Sequence, residues 1–127
     1  MRLLLDTHAF LWWATDPDQL SAPVLQACID PDTTVLVSLV SAWELQIKAQ
    51  LGKLQVTTSL DHLFQTQQRN GVQLLPITLG HILHLDQLPL HHKDPFDRLL
   101  LAQAIQDELV LVSKDRVFQD YPVSLFW

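Results

Sequence analysis

The stretch RLLLDTHAFLWWA, residues 2–14, begins as a short apolar run and continues at once as a helical pattern. The leucines of this run are not interrupted by polar residues, which is typical of a strand that helices cover on both faces. The same succession of apolar run and helical pattern recurs along the chain. Such alternation predicts βαβ units and a parallel sheet.

Five apolar runs and seven helical segments follow this pattern. We expect strands at residues 2–5, 34–38, 72–77, 109–113 and 122–126. We expect helices at residues 7–14, 23–30, 40–51, 59–69, 78–86, 96–107 and 115–119. The predicted fold class is α/β, a three-layer α/β/α sandwich with a central parallel sheet of four to five strands. Because the chain has no repeat and no flexible linker, residues 1–127 are expected to form one domain.

The composition narrows the class of protein. Hydrophobic residues make up 48% of the chain, enough for a core without disulfides, and the single cysteine, Cys28, reads as a small buried hydrophobe and is typical of a reducing compartment. The N-terminal apolar run is too short for a signal peptide. No later run approaches the roughly 18 residues that a membrane span needs. The sequence therefore predicts a soluble, cytoplasmic protein with no membrane partner.

The formal net charge of −6 argues weakly against a nucleic-acid partner, since domains that bind nucleic acids usually carry a basic surface. Four carboxylates occupied by two divalent cations would change the formal charge to −2. The acidic balance is therefore poor grounds for excluding a polyanionic substrate.

Acidic residues recur where predicted strands pass into helices. Asp6 follows the first strand directly, and Asp115 comes two residues after the fourth. Glu44 lies near the start of the helix after the second strand, while Asp94 and Asp97 open the helix that precedes the fourth. Ligands of open parallel sheets bind beyond the carboxyl ends of the strands. We therefore expect these five acids to converge in one cleft.

Helix capping is the competing interpretation of each acid taken singly. Asp94 with Pro95 and Asp97 is close to a capping box, so we interpret Asp94 mainly as the cap and Asp97 as the ligand. Asp6 and Asp115 could also serve at helix starts, the latter behind a Ser113 cap. Glu44 borders an apolar helical stripe and could pair with Lys48 one turn on.

The joint pattern carries more information than any single acid. Four carboxylates within a few ångströms would repel by about 4 kcal/mol per pair at about 4 Å and an effective dielectric near 20, which capping does not offset. Such a cluster requires cations. Oxygen ligands without cysteine or histidine at matched spacing favour a hard ion, Mg²⁺ or Mn²⁺.

The hydroxyl, imidazole and indole side chains indicate a functional site less strongly than the acids do. Thr7 follows Asp6, and Ser41 lies one turn before Glu44, so both hydroxyls could orient a carboxylate or a water molecule. The motif His81-x-x-His84-x-Asp86 lacks the spacing of a helical zinc pair, which favours a surface or capping role. No catalytic role is assigned to the other histidines, although His8 is close to Asp6 in sequence and either His91 or His92 could contact a phosphate. Three tryptophans at helical positions are expected in the core or at a subunit contact, and not as platforms on which bases stack: Trp12, Trp13 and Trp43.

Four segments together resemble the PIN-domain nucleases, and within them the VapC-type toxins of bacterial toxin–antitoxin pairs. They occur in family order and at about family spacing: LLLDTHAFLWW, VSLVSAWELQIKAQLGKL, HHKDPFDRLLLAQA and LVLVSKDRVFQDY. The resemblance implies metal-binding acids at Asp6, Glu44, Asp97 and Asp115, with Asp94 as an additional acid. Ser113 stands where many members have threonine and keeps the hydroxyl.

The same resemblance implies Mg²⁺- or Mn²⁺-dependent cleavage of RNA, a homodimer, and inhibition by a VapB-type antitoxin whose tail covers the cleft. One cation held mainly by Asp6 and Asp97 would activate a water molecule for attack on a backbone phosphorus. Cations at the rim would offset the phosphate charge of the substrate. The candidates for this role are Lys48, Lys93, Arg98 and Arg116.

Two other classes of function remain open at this point. In a non-catalytic binding module, the acids would be caps and the protein would act by occupying a partner. A DNA-directed nuclease or a phosphatase could use a similar sheet, although the Asp-x-Asp of common phosphatases is absent at Asp6-Thr7-His8. Residues alone do not separate RNA from DNA, because a site that cuts the backbone reads phosphates more than bases.

Overall fold

A five-stranded parallel sheet forms the centre of the computed structural model, which describes all residues 1–127. The strands are β1 (Arg2–Leu5), β2 (Thr34–Ser38), β3 (Gln73–Leu75), β4 (Val110–Val112) and β5 (Leu125–Phe126). Their order is β3-β2-β1-β4-β5, and every neighbouring pair is parallel. This arrangement confirms the predicted α/β class with a central parallel sheet.

Six α-helices flank the sheet. They are α1 (Thr7–Thr15), α2 (Ala22–Ile29), α3 (Leu39–Gln50), α4 (Leu60–Arg69), α5 (Leu79–His84) and α6 (Pro95–Gln106). Short 3₁₀ helices span Pro17–Gln19, Leu85–Gln87 and Arg116–Asp120. The helix predicted at 115–119 is thus a 3₁₀ helix, and the one at 17–19 was not predicted. No helix of this chain is long and apolar enough to cross a membrane.

The edge strands are shorter than the sequence predicts. β3 pairs only with β2, with Ser38 opposite Leu75, so its ladder ends where β2 ends. Pro76 follows and has no N–H to continue the ladder. The predicted last strand began at Pro122, whereas β5 begins at Leu125. An apolar run shows where a strand can form, but the length of its single neighbour limits where it pairs.

Side chains of the central strands enter two separate cores. Leu4 of β1 packs in the core that α6 covers, whereas Leu3 and Leu5 pack in the core that α1 and α2 cover. In β2, Leu36 belongs to the first core and Val37 to the second. Burial on both faces explains why the sequence of these strands is continuously apolar.

The strand order reverses between β1 and β4, which creates a topological switch point at the carboxyl ends of these central strands. The chain proceeds from β1 to β2 and β3 on one side and then returns to β4 and β5 on the other. In such sheets, a crevice opens beyond the carboxyl ends of the strands where the order reverses. The backbone N–H of Asp6 donates to Val112 O at 3.0 Å, which places the first acid at this crevice.

Candidate active site

A cavity of about 410 Å³ lies beyond the carboxyl ends of the central strands. Acids from four separate segments line it, which is the convergence that the sequence predicts. Only one hydrophobic residue, Trp12, contributes to its wall. The acidic lining residues are Asp6, Glu44, Asp94, Asp97 and Asp115, and the others besides Trp12 are Thr7, His8, Lys48 and Lys114.

Three of these acids are also helix caps, as the competing interpretation predicts. Asp6 Oδ1 accepts from Ala9 N–H at 2.8 Å, and Asp94 Oδ1 accepts from Phe96 N–H at 2.9 Å. Asp115 caps the 3₁₀ helix that follows it, rather than lying inside that helix. Each recorded cap bond uses only one carboxylate oxygen, Oδ1. Capping and ligand binding are therefore compatible roles for the same side chain.

Two buried hydroxyls orient Glu44, which reaches the cavity from α3. Thr7 Oγ1 lies 2.6 Å from Glu44 Oε1 and 3.0 Å from Ser41 Oγ. A hydroxyl has one proton, so Thr7 donates to the carboxylate and accepts from Ser41. Lys48 Nζ lies 3.4 Å from Glu44 Oε2, the pair expected one helical turn apart. Because the lysine is one-third exposed, this ion pair contributes little to stability.

A histidine that the sequence left without a catalytic role holds Asp97. His92 Nε2 lies 2.7 Å from Asp97 Oδ2, and because an ionised carboxylate only accepts, the imidazole donates this bond. The loop that carries His92 is fixed by Tyr121, whose hydroxyl accepts from His92 N–H at 2.8 Å and donates to Pro89 O at 3.0 Å. The phenol is 29 residues from His92, so no local pattern predicts this contact.

Burial and neighbouring carboxylates raise the pKa of two acids. Burial has the largest effect on Asp6, and Asp97 raises its pKa further, while hydrogen bonds from the Ser113 hydroxyl and a backbone N–H oppose this shift. The pKa of Asp97 is also raised, first by burial and then by the charges of Asp94 and Glu44, against the His92 hydrogen bond. The acids are therefore close enough for their ionised forms to destabilise one another.

The residues fit a divalent cation by their chemistry. The donors are carboxylate oxygens, the ligands that Mg²⁺ and Mn²⁺ prefer. The expected tight cluster is not formed, however, since no three acidic, histidine or cysteine side chains are arranged to hold one ion. Each carboxylate has its own donor instead: a cap N–H, the Thr7 hydroxyl or the His92 imidazole. The acids therefore share one cavity, and their role as cation ligands stays a prediction.

The predicted phosphate-binding cations separate into different environments. Lys48 lines the acid cavity, whereas Lys93 and Arg116 do not. The prediction for Arg98 is corrected, because its guanidinium donates to the backbone carbonyls of Leu85, Pro89 and His92 at 3.0–3.3 Å and so fixes the loop. Sequence reasoning missed Lys114, which lines the cavity. Its position immediately before Asp115 was the available signal.

Other predictions need correction or are confirmed. His81 is buried, so a surface role is wrong, but its capping role is confirmed because Nδ1 accepts from Thr78 N–H at 3.1 Å. Trp43 is 58% exposed, so it is not a core residue, and it contacts the Phe96 ring edge-on at 5.1 Å.

Cys28 is buried and unpaired, as expected. Its thiol has a pKa raised to about 11 by burial.

Comparisons with known proteins agree with this fold. The PIN domain pattern matches residues 3–123. The chain is 33% identical over 115 residues to Ribonuclease VapC22 of Mycobacterium tuberculosis (strain ATCC 25618 / H37Rv). The aligned region covers 90% of this chain and 87% of that relative. The fold is similar to VapBC2 from Rickettsia felis, solved bound to a DNA fragment from its promoter (TM-score 0.76, 15% identity, 99% of this chain and 98% of that one). It is also similar to FitAcB from Neisseria gonorrhoeae (TM-score 0.62, 18% identity, 98% and 96%). The chain belongs to the PIN domain family.

Proposed function

We propose that residues 1–127 act as one nuclease domain, a divalent-cation-dependent endoribonuclease that is the toxin of a toxin–antitoxin pair. The observation that carries this proposal is the meeting of five acids from four chain segments in one cavity at the sheet's switch point. The relative named as a ribonuclease supports RNA as the substrate. PIN-domain ribonucleases generally depend on divalent cations.

Asp6 and Asp97 are the proposed principal ligands of Mg²⁺ or Mn²⁺, with Glu44, Asp115 and Asp94 completing the acidic wall. When bound, such a cation supplies positive charge that acidifies a water molecule and stabilises charge on the phosphate. Carboxylate oxygens not used in capping are the candidate donors, since Asp6 and Asp94 each cap through Oδ1. A bound cation would also offset the repulsion that raises the pKa of Asp97.

The remaining polar residues position these acids and receive the substrate. The Ser41–Thr7 hydroxyl chain orients Glu44, and the Ser113 hydroxyl accepts from the backbone N–H of Asp115 at 3.0 Å. Lys48 and Lys114 lie in the cavity wall, where their charges can attract RNA phosphates.

A protein partner follows from the structural neighbours. Several are described as toxin–antitoxin complexes, VapBC2 of Rickettsia felis and VapBC of Salmonella typhimurium among them. We therefore propose a VapB-type antitoxin as the partner of this chain. A homodimer is also proposed, because α3 and α5 expose large apolar side chains that a second copy would cover: Leu39, Trp43, Leu79, Ile82 and Leu83. Sedimentation velocity distinguishes the dimer from a monomer.

Cleavage of an RNA pool tests the activity directly. With Mg²⁺ or Mn²⁺ the protein should fragment the pool, and a chelator should stop the reaction. Asp6→Asn should abolish cleavage while the chain remains folded, because asparagine can still cap α1. Asp61→Asn, at an exposed acid outside the cavity, is the matched control. Metal-dependent cleavage at full rate by Asp6→Asn would reject the proposal.

A non-catalytic binding module is the second candidate, and the capping bonds of Asp6, Asp94 and Asp115 favour it. Thermal unfolding separates the two candidates. Millimolar Mg²⁺ or Mn²⁺ should stabilise a nuclease site by an amount that grows with the logarithm of the cation concentration once it exceeds the dissociation constant. Acids that serve only as caps should give no such increase.

A further inference from the structure

A second cavity, of about 430 Å³, lies beside the acid cavity. The two share Lys114 and Asp115 in their walls, so they adjoin at this segment. Beyond the shared residues, Arg116, Gln119 and Trp127 line the second cavity. Its wall thus contains two cations and one acid, the reverse of the balance in the acid cavity.

An aromatic row joins the two cavities. His8 and Trp12 line the acid cavity, and their rings are stacked at 5.6 Å with an angle of 22° between planes. The ring of Trp12 contacts that of Trp127 at 5.9 Å and 58°, and Trp127 lines the second cavity. His8 is exposed and both tryptophans are half-buried, so parts of these rings face the depression.

Packing explains part of this row, because Trp12 and Trp127 also contact the core beneath α1. Packing does not explain the cations beside it. Arg116 and Lys114 are exposed and take part in no ion pair. Cations next to aromatic faces are the arrangement by which proteins bind single-stranded nucleic acids, the cations contacting phosphates and the rings stacking on bases.

From this juxtaposition we infer that the second cavity is a subsite for single-stranded RNA, which receives the nucleotide adjacent to the phosphate in the acid cavity. Lys114 and Arg116 contact its phosphate, and Trp127 contacts its base. A duplex is disfavoured, because a paired and stacked base must first be separated from its partner, at a cost in free energy, before it can contact a protein ring. The inference rests on the proposed nuclease function and adds the residues that contact the nucleotide next to the phosphate in the acid cavity.

Binding in an Asp6→Asn background, which prevents cleavage, tests the subsite. The probe is a fluorescently labelled single-stranded RNA of about 12 nucleotides. Trp127→Ala should weaken binding by about tenfold, while Trp127→Phe, which keeps an aromatic face, should retain most of the affinity. Arg116→Gln should weaken binding and lower the slope of log affinity against log salt by about one. Lys53→Gln, at an exposed cation outside both cavities, should change neither value by more than about twofold.

Two further probes make the result decisive. Trp127→Ala should have no effect on a strand whose bases have been removed, and the unchanged protein should bind the matching duplex more weakly than the single strand. Unaltered binding by folded Trp127→Ala and Arg116→Gln, equal losses with the abasic strand, or preference for the duplex would overturn the subsite. Failure of the nuclease proposal is recognised separately, because the unchanged protein would then cleave no RNA.

Discussion

Two histidine–aspartate pairs occur in this chain with similar local geometry and different surroundings. His92 Nε2 lies 2.7 Å from Asp97 Oδ2, and His81 Nε2 lies 2.9 Å from Asp107 Oδ2. In both pairs an imidazole near the start of a helix contacts a carboxylate. A comparison of these two regions indicates which features mark a candidate catalytic acid.

The His81 pair has a structural role. The ring is buried, accepts from Thr78 N–H through Nδ1, and so completes the capping box of α5. Asp107 is the C-cap of α6, and the bond between the two therefore ties α5 to α6. Neither residue lines the acid cavity.

The His92 pair lies among other acids. Asp97 lines the cavity with Asp6 and Glu44, and its pKa is raised first by burial and then by the negative charges around it. His92 itself is placed by Tyr121, outside any helix. The contact between imidazole and carboxylate is thus common to both regions, and the further carboxylates around Asp97 are the feature that indicates a chemical role.

The largest expected difference is in cleavage when each aspartate is neutralised. Asp97→Asn should lower the rate of RNA cleavage by about 1,000-fold or more, since a cation ligand acts on several kcal/mol of transition-state stabilisation. Asp107→Asn should leave the rate within about twofold, because it lies outside the cavity. Initial rates on one RNA substrate measure both. Similar losses in the two variants would remove the distinction between the regions.

Replacing each histidine should show that His92 positions a cavity acid, whereas His81 stabilises the fold. His92→Phe should lower cleavage and cation affinity by about 10- to 100-fold, the effect expected when a ligand loses its orienting partner. His92→Gln, which can place an N–H near the position of Nε2, should recover much of this loss. His81→Phe should instead lower the free energy of unfolding by about 1–3 kcal/mol through lost buried hydrogen bonds. Calorimetric titration with Mn²⁺ measures the cation affinity, and urea unfolding measures the free energy of unfolding. If His92→Gln loses as much cleavage and cation affinity as His92→Phe, His92 does not act by positioning Asp97.

Stability should depend on pH through the cavity acids. The pKa values of Asp6 and Asp97 are raised in the folded state, so folding favours their protonated forms. Their contribution to stability is therefore present below the ordinary value of 3.8 and is lost as pH rises through the raised values. The double variant Asp6→Asn/Asp97→Asn should lose less stability than the unchanged protein as pH rises over this range. Urea unfolding at several pH values without divalent cations measures this loss of stability. An equal or larger loss in the double variant would show that the pKa values of Asp6 and Asp97 are not raised by folding.

The smallest effect is expected at Arg98, which fixes the loop carrying His92. Arg98→Lys replaces two donor nitrogens in a planar fork by one, so it should lose part of the contact with the carbonyls of Leu85, Pro89 and His92 and cost about 1 kcal/mol of stability. It should leave the salt dependence of RNA binding unchanged, whereas Lys114→Gln in the cavity wall should lower that slope by about one. A fall in the slope for Arg98→Lys would restore its predicted role as a phosphate ligand.

The sequence predicts much of the fold because the patterns involved are local. Continuous apolar runs identify the central strands, since both faces of β1 and β2 are buried. The lengths of β3 and β5 are not predictable in this way, because each is limited by pairing with one neighbour. The convergence of Asp6 and Asp115 is predictable, because both follow the carboxyl ends of strands that lie side by side.

The contacts that hold the site are less accessible to sequence reasoning. Tyr121 positions His92 from 29 residues away, and Thr7 bonds Glu44 from a different helix. Arg98 has the charge of a phosphate ligand, but loop carbonyls that no pattern reveals are nearer to it. Each case depends on the path of a loop or on the packing of two elements, which side-chain chemistry alone does not determine.

Calorimetric titration of Mn²⁺ into the unchanged protein, Asp6→Asn, Asp97→Asn and Asp107→Asn tests the central claim most directly, namely that acids distant in sequence act together as one cation site. The unchanged protein and Asp107→Asn should bind with the same affinity, and the two cavity variants should each bind at least about tenfold more weakly. Equal Mn²⁺ binding by all four proteins, or none by any of them, would contradict the account.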